Sequence, residues 1–406
     1  MFKIISGMKP YYDFVVLGGG IVGLTLARAL KKLHPASLIG LLEKEAEIGM
    51  HGSGRSGGVI QAGFYHASDI DKIQLTYSGN KMLTKFCNDH RLSIRKCGQL
   101  VIAKNDKDIE GLKELEKRAK TANIPIEVLS EEQTHKIDPN VKTRGVSLYT
   151  PVVSTIVPKQ VCLALERENR DLDIDILTRT HYISRNSEGI NTNKGRLTYK
   201  KLFNTAGCNV DRIAHDFGFA LEHKIIPFTV SFIKSVHPTQ EVATTIFGVP
   251  DFKFPYVEVK LTPMPDGKLK IGPSVTPAIG RESHLGISRI PFADVLETII
   301  ADIKLGVLYR NDVVNYVTLC ASEYKKKMIW QLKKEANKQL IKPLKGKYIW
   351  DQRGIMPCVF NTKERKYVTD LLIFDNEKSC HIVNPVFPGF TTAFSTAELI
   401  ASKYSV

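Results

Sequence analysis

Residues 12–23 read YDFVVLGGGIVG, and this stretch decides the fold. Its first half, Tyr12 to Leu17, is a short apolar run rich in β-formers, the pattern of a buried strand. Gly18, Gly19 and Gly20 break it. From Ile21 to Leu33 the apolar residues Ile21, Leu24, Ala27 and Leu30 fall near helical spacing, and Leu38 to Leu42 is a second apolar strand. Together these pieces form a β-α-β unit of about 30 residues, the smallest Rossmann-type half. Within it Gly18, Gly20 and Gly23 keep the spacing G-x-G-x-x-G. The first glycine permits a tight turn, the second lets backbone approach a pyrophosphate, and the third lets the helix pack on the strand. The helix N-terminus adds free N–H groups and the positive end of its dipole. Glu43 closes the second strand about 20 residues after Gly23, where a carboxylate accepts hydrogen bonds from ribose hydroxyls and repels a 2′-phosphate. The pattern reads as a dinucleotide site that disfavours NADP.

Working outward, the segment HGSGRSGG at residues 51–58 follows the acidic residue closely. Ser53, Arg55, Ser56, Gly57 and Gly58 offer hydroxyls, a guanidinium and backbone N–H groups along an extended cofactor. That suits FAD, whose flavin reaches beyond the first Rossmann unit; a flexible loop is the plainer alternative. Near the other end, NPVFPGFTT at 384–392 precedes an apolar helix running to about Ala401. Placed at a flavin pyrimidine ring, the N-terminus of that helix would favour negative charge on the reduced ring. By itself it is also an ordinary helix entry.

The rest of the chain gives class and layout. It has 406 residues, enough for two or three domains, and 43% hydrophobic against 24% charged residues, ordinary for a globular protein. No window approaches the run of about 20 apolar residues that a membrane helix needs, and Met1 to Lys9 shows no signal-peptide pattern. A net charge of +15 attracts anions. The lysines are scattered apart from Lys325, Lys326 and Lys327, and no nucleic-acid motif accompanies them. A solvated surface is the reading, with a peripheral membrane contact as the alternative. Seven cysteines without a C-x-x-C pair fit reduced thiols in the cytoplasm and argue against a zinc site. Helices are expected at Ile70 to His90 with Ser68 or Asp69 as cap, at Asp106 to Ala122 and at Lys159 to Asn169. Strands are expected at Gln99 to Ala103 and Arg196 to Asn204. From Lys224 to Pro277, β-rich runs broken by prolines suggest an antiparallel sheet, and Phe292 to Asn337 reads as mostly helical. The fold class is α/β: a Rossmann-type FAD domain of residues 10–90, 150–223 and 345–406, discontinuous around an α+β substrate domain of 91–149 and 224–344.

The order of these segments resembles the L-2-hydroxyglutarate dehydrogenase/oxidase group of the D-amino-acid-oxidase-like FAD oxidoreductases, from about Tyr11 to Ser402. The matching pieces are DFVVLGGGIVGLTLARAL, HGSGRSGGVIQAGFYH, KCGQLVIA, NTAGCNVDRIA, PDGKLKIGPS and HIVNPVFPGFTTAFSTAELIA. The resemblance implies a flavoenzyme whose substrate lies against the flavin under a mostly antiparallel sheet and loses hydride to flavin N5. The cofactor set it implies is Gly18, Gly20, Gly23, Glu43, Lys44, Ser53, Arg55, Ser56, Gly57, Gly58, Val157, Ala206, Gly207, Pro388, Gly389, Phe390, Thr391 and Thr392.

The substrate positions depart from the family pattern. Family members read V-I-H-A-G-I-Y-Y where this chain has Val59 to His66, so a histidine has become Gln61. The segment P-F-L-G-V-H-F-T corresponds to Pro255 to Thr262, and a second histidine has become Lys260. The late G-I-R motif appears as Gly354-Ile355-Met356, with Arg353 just before it. The catalytic candidates are therefore Lys260 as base or carboxylate binder, Arg353 as carboxylate anchor, and Tyr65 and Gln61 as hydrogen-bonding groups. His51, His66 and His381 read as ordinary hydrogen-bonded histidines. The expected activity is FAD-dependent oxidation of a small carboxylate-bearing substrate, first an L-2-hydroxy acid. The alternatives are an amine or amino-acid oxidase and an FAD-binding protein without turnover. The electron acceptor would be oxygen or the quinone pool.

Overall fold

The computed structural model describes residues 8–67, 69–250, 258–282 and 328–404. Tyr11–Leu17 is the inner strand of an eight-stranded sheet, parallel to Ile39–Leu42 on one side and Gly195–Asn204 on the other. Parallel strands covered on both faces read as continuous apolar runs, and Val15 and Val16 are accordingly fully buried. Ile174–Leu177 extends the sheet beyond Ile39–Leu42, and Ser379–Asn384 joins the far end of Gly195–Asn204, again in parallel. The helix Ile21–Leu33 covers this sheet, burying Ile21, Leu24, Ala27 and Leu30. Two polar contacts tie it to its neighbours. Asn169 Nδ2, on the helix Pro158–Asp171, donates to Leu24 O at 3.0 Å. Thr25 Oγ1 donates to Ala393 O, on the helix Gly389–Ser402, at 3.1 Å.

Among the described residues the second sheet has ten strands, and its central strand His223–Ser235 pairs antiparallel with Leu269–Pro277, Tyr348–Trp350 and Gly354–Asn361. All its pairs are antiparallel except Thr245–Gly248 beside Gln99–Ile102. Val59–Ile60, Ser154–Ile156 and Ile94–Arg95 form a small third sheet. Sheet membership differs from the sequence-based division at Ile94–Arg95, expected in the substrate domain but paired with Ser154–Ile156 of the expected cofactor unit, and in one longer region. Residues 348–368 pair with the ten-stranded sheet, whereas the expected boundary puts everything after 344 with the cofactor unit. Two of the three strands there have three residues each and the third, Gly354–Asn361, opens on glycine and contains Pro357, so local pattern carries no information about which sheet they join.

The expected helices appear as Ile70–Asp89, Asp106–Thr121 and Pro158–Asp171. Asp69 caps the first, its Oδ1 accepting from Asp71 N and Lys72 N; Ser68 lies outside the described residues. Of the expected helical stretch 292–337, only Ile329–Asn337 is described. Lys325 to Lys327 and the family-matched Pro255 to Val257 also lie outside the described residues. Among the described residues no helix is long and apolar enough to cross a membrane, and no group of three metal-binding side chains occurs.

Candidate active site

A cavity of about 800 Å³ runs between the two large sheets. One end is built by the glycine turn. Gly18 has φ +107°, and a Cβ there would come within 2.7 Å of Thr205 O. A Cβ on Gly23 would come within 2.0 Å of Gly18 O, so helix and turn touch backbone to backbone. Gly20 differs: a Cβ would meet only Ser53 Oγ, at 3.1 Å, and the residue faces the cavity. These contacts match the three tasks that the glycine spacing implies. Ser53 Oγ accepts from Ile21 N at 2.9 Å, which fixes the loop against the helix start.

Glu43 is buried at the cavity edge, with Oε2 accepting from Gly19 N at 2.7 Å and Oε1 from Glu45 N at 2.8 Å. Burial pushes its pKa up, opposed by those two N–H groups. Each carboxylate oxygen keeps a second lone pair, as a ribose contact needs. Lys44, which also lines the cavity, is ion-paired with Glu282. Arg55 lies further along, its Nε donating to Met50 O at 2.8 Å and Nη1 to Arg353 O at 3.2 Å. Ser56, Gly57, Gly58, Ala206 and Gly207 complete this wall, and Pro388, Gly389, Phe390 and Thr391 bring the start of the helix Gly389–Ser402 to it. Thr391 Oγ1 accepts from Gln61 N at 3.1 Å, joining the two ends of the chain.

Three residues of the implied cofactor set lie behind the lining: Gly23, packed on the Gly18 carbonyl as above, Val157 and Thr392. Val157 precedes the helix Pro158–Asp171. Thr392 is buried, its hydroxyl donating to Val386 O at 2.9 Å. The paired helix N-termini, the glycine cradle and the acceptor Glu43 fit an extended dinucleotide.

The other end is walled by the ten-stranded sheet. Side chains alternate along a strand, so Lys260 and Thr262 face the cavity while Leu261 enters the core with Ile246 and Ile271. The same alternation turns Val230 and Phe232 outward and Ile233 inward. Lys260 is 8% exposed. Its Nζ stands 4.6 Å from the centroid of Phe247 and 5.0 Å from that of Tyr65. Burial lowers its pKa to about 8, against the pull of Glu258, and Glu258 is itself ion-paired with Lys104.

Gln61 lines the cavity. Tyr65 is buried behind it, with its hydroxyl donating to Gln61 Oε1 and accepting from Ala62 N at 3.3 Å. Tyr65 therefore touches the site through Gln61 and Lys260. Arg353 is exposed and outside the lining, its guanidinium 6.0 Å from the Trp350 ring. Met356, at the position of the missing family arginine, lines the cavity.

Of the three histidines set aside above, two make the expected bonds. His51 Nε2 meets Glu45 Oε1 at 3.0 Å, and His381 meets Asn204 and Ser379 at 3.1 Å each. His66 does not. Its two ring nitrogens are buried without a hydrogen-bond partner, and the residue lines the cavity. Sequence reasoning also missed Phe232 and the buried Arg281–Asp211 ion pair beside the cofactor end. The only sequence signal for His66 was its place five residues after Gln61, in a segment already matched to the family.

The family model described as FAD dependent oxidoreductase matches residues 13–402. The L-2-hydroxyglutarate dehydrogenase of Escherichia coli is 25% identical over 403 residues, covering 97% of this chain and 93% of that protein. The mitochondrial enzyme of the same name from Nematostella vectensis is 30% identical over 310 residues, 71% of this chain and 68% of the relative. Among solved structures, the L-α-glycerophosphate oxidase of Mycoplasma pneumoniae with FAD bound superposes with a TM-score of 0.73 at 19% identity, covering 98% and 96% of the two chains. The L-proline dehydrogenase of P. horikoshii gives 0.69 at 16%, covering 97% and 93%. With the cofactor cradle and this match over nearly its whole length, the chain belongs to the DAO family of FAD-dependent oxidoreductases.

Proposed function

We propose that the protein oxidises a small carboxylate-bearing substrate, first an L-2-hydroxy acid of the 2-hydroxyglutarate kind. The observation that carries this reading is Lys260, a buried ammonium on the cavity wall that rests on two ring faces. A desolvated cation of this sort gains most from an anionic partner, and a substrate carboxylate supplies one. The similarity to enzymes named for L-2-hydroxyglutarate supports the CH–OH choice. FAD, when bound, supplies the hydride acceptor. The groups to hold it are the glycine turn, Glu43, Lys44, the wall from Ser53 to Gly58, Ala206, Gly207 and the start of the helix Gly389–Ser402, with Gly23, Val157 and Thr392 shaping that wall from behind. With its Oε1 taken by Tyr65, the Gln61 amide is left to donate through Nε2 to a substrate oxygen. The phenylalanine, methionine and valine side chains of the larger sheet keep water away from the reacting carbon.

Anaerobic addition of hydroxy acids, amino acids and amines to the yellow protein tests the reading. Bleaching by a 2-hydroxy acid is expected. Bleaching only by amines would make it an amine or amino-acid oxidase. Bound dye that nothing bleaches would favour a protein without turnover, the reading that Gln61 and Met356 support at two of the three changed family positions. The electron acceptor in this proposal is oxygen or the quinone pool, distinguished by adding each to the reduced protein. The proposed location is the cytoplasm, with or without peripheral contact to a membrane.

A further inference from the structure

His66 borders the same cavity and has no part in the reading above. Its ring stands edge-on to two aromatic neighbours, with centroids 4.4 Å from Tyr65 and 4.8 Å from Phe387. Both nitrogens are shielded from solvent and have no hydrogen-bond partner among the described residues. Leaving a buried polar group unpaired costs roughly 1–3 kcal/mol. The residue itself is part-exposed on the cavity wall, and a half-turn of its ring, which exchanges nitrogen and carbon positions, brings a nitrogen to face a ligand there.

The charged and titratable groups around it are few. Lys260 acts on it directly, Tyr65 packs against it, and Glu258 acts through Lys260 while paired with Lys104. Burial, and then the charge of Lys260, hold the imidazole well below its ordinary pKa. It is therefore neutral near pH 7, with one nitrogen lone pair able to take a proton.

We propose that His66 is a catalytic residue that takes the proton of the substrate's α-hydroxyl while Lys260 holds the carboxylate. This rests on the oxidation reading given above. The C–H bond breaks and its electron pair leaves with the hydrogen as hydride to the bound FAD. The O–H bond breaks, its electron pair closes the new C=O bond, and its proton ends on an imidazole nitrogen of His66. No other reactant is consumed. The pairing also explains why the base is weak before substrate arrives. A carboxylate on Lys260 offsets the positive field that opposes protonation of His66, so proton affinity rises as the substrate is seated.

Two measurements on the oxidised holoprotein test this. In the first, histidine nitrogens are labelled with ¹⁵N and followed by NMR while 2-oxoglutarate, a keto acid that the enzyme cannot oxidise further, is added. The His66 signals are expected to move toward the protonated form, and the shift should vanish in Lys260→Met. In the second, His66→Gln is compared with wild type at equal FAD content. Its affinity for 2-oxoglutarate should change less than about threefold, while anaerobic reduction by the best substrate should fall by about 100-fold or more, the usual contribution of a general base. Reduction of His66→Gln at the wild-type rate would overturn the proposal. So would His66 signals that ignore a bound carboxylate. If no hydroxy acid or amine bleaches the wild type, the oxidation reading itself fails, and the NMR titration alone decides whether His66 and Lys260 act together on a carboxylate.

Discussion

The two ends of the cavity are built on opposite principles. At the cofactor end the polar groups already have protein partners: Glu43 accepts two N–H groups, Ser53 accepts from Ile21, and backbone meets backbone where Gly23 touches Gly18. At the substrate end Lys260 stands over ring faces and His66 has buried, unpaired nitrogens. The first end is complete without its ligand and presents a preformed shape. The second holds groups at a cost in stability, the usual mark of a place where a ligand supplies what the fold withholds.

That contrast fails first if the glycine turn proves tolerant. Replacing Gly23 by alanine would force a methyl group to within 2.0 Å of Gly18 O, and backbone on both sides leaves little room to yield. The expected outcome is loss of bound FAD together with a large drop in folded yield, read from the flavin absorbance and a thermal melt. Gly20→Ala should be milder, because its Cβ meets only the Ser53 hydroxyl at 3.1 Å.

A second break point lies where the two sheets meet. Arg281 follows the larger sheet and donates through Nη2 to Asp211 Oδ2 at 2.9 Å, and Asp211 sits in the helix Val210–Asp216 beside the smaller one. Both side chains are almost fully buried. Arg281→Met leaves that carboxylate uncompensated and should destabilise by about 3–5 kcal/mol. Adding Asp211→Leu should recover part of the loss, less the hydrogen bond that Asp211 accepts from Ile225 N. Equal melting temperatures for Arg281→Met and wild type would show that the pair does not hold the sheets.

Lys260 sharpens the comparison, because stability and binding should move in opposite directions. Its pKa falls from 10.5 to about 8 on burial. The folded state therefore binds its proton less tightly than the unfolded chain. The penalty is fully present below about pH 8 and fades as the pH rises toward 10.5, so this group makes stability increase with pH across that window. Lys260→Met removes the penalty, and an upper bound of about 3 kcal/mol of stabilisation follows from the size of the shift. The same variant should lose carboxylate affinity by more than about tenfold, a 1.4 kcal/mol effect. In the wild type that affinity should weaken above about pH 8, as the ammonium loses its proton. A melt and a 2-oxoglutarate titration on one sample check both signs.

The cofactor end was legible in the sequence because it is local. Gly18, Gly20 and Gly23 lie within one turn and one helix start, and their spacing encodes backbone contacts directly. The substrate end draws on strands far apart in the chain. Lys260 could be flagged by its family position, yet its burial depends on Phe247 and Tyr65, which no local pattern links to it. His66 looked ordinary, since an unpaired histidine and a bonded one are the same letter. Residues 348–368 show the same limit at the level of the fold, because a short strand does not carry the address of its sheet.

Arg353 gives the smallest expected effect and the most pointed check on that lesson. Its place beside the late glycine made it the natural substitute for the missing family arginine, and a guanidinium binds a carboxylate well. In the structure, however, Met356 occupies the cavity wall, and Arg353 is exposed with its guanidinium beside Trp350. What Arg353 offers the site is its backbone carbonyl, which accepts from Arg55 Nη1 at 3.2 Å. A substitution keeps that carbonyl. Arg353→Ala should therefore change 2-oxoglutarate affinity by less than about threefold, under 1 kcal/mol, and leave FAD content unchanged. Met356→Arg, by contrast, returns a cation to the wall at the position paired with Phe228 of the neighbouring strand, and should tighten binding of dicarboxylates relative to monocarboxylates. A large loss of affinity in Arg353→Ala would mean that this side chain swings into the cavity with the substrate, and the anion site would then have to be drawn around two cations instead of Lys260 alone.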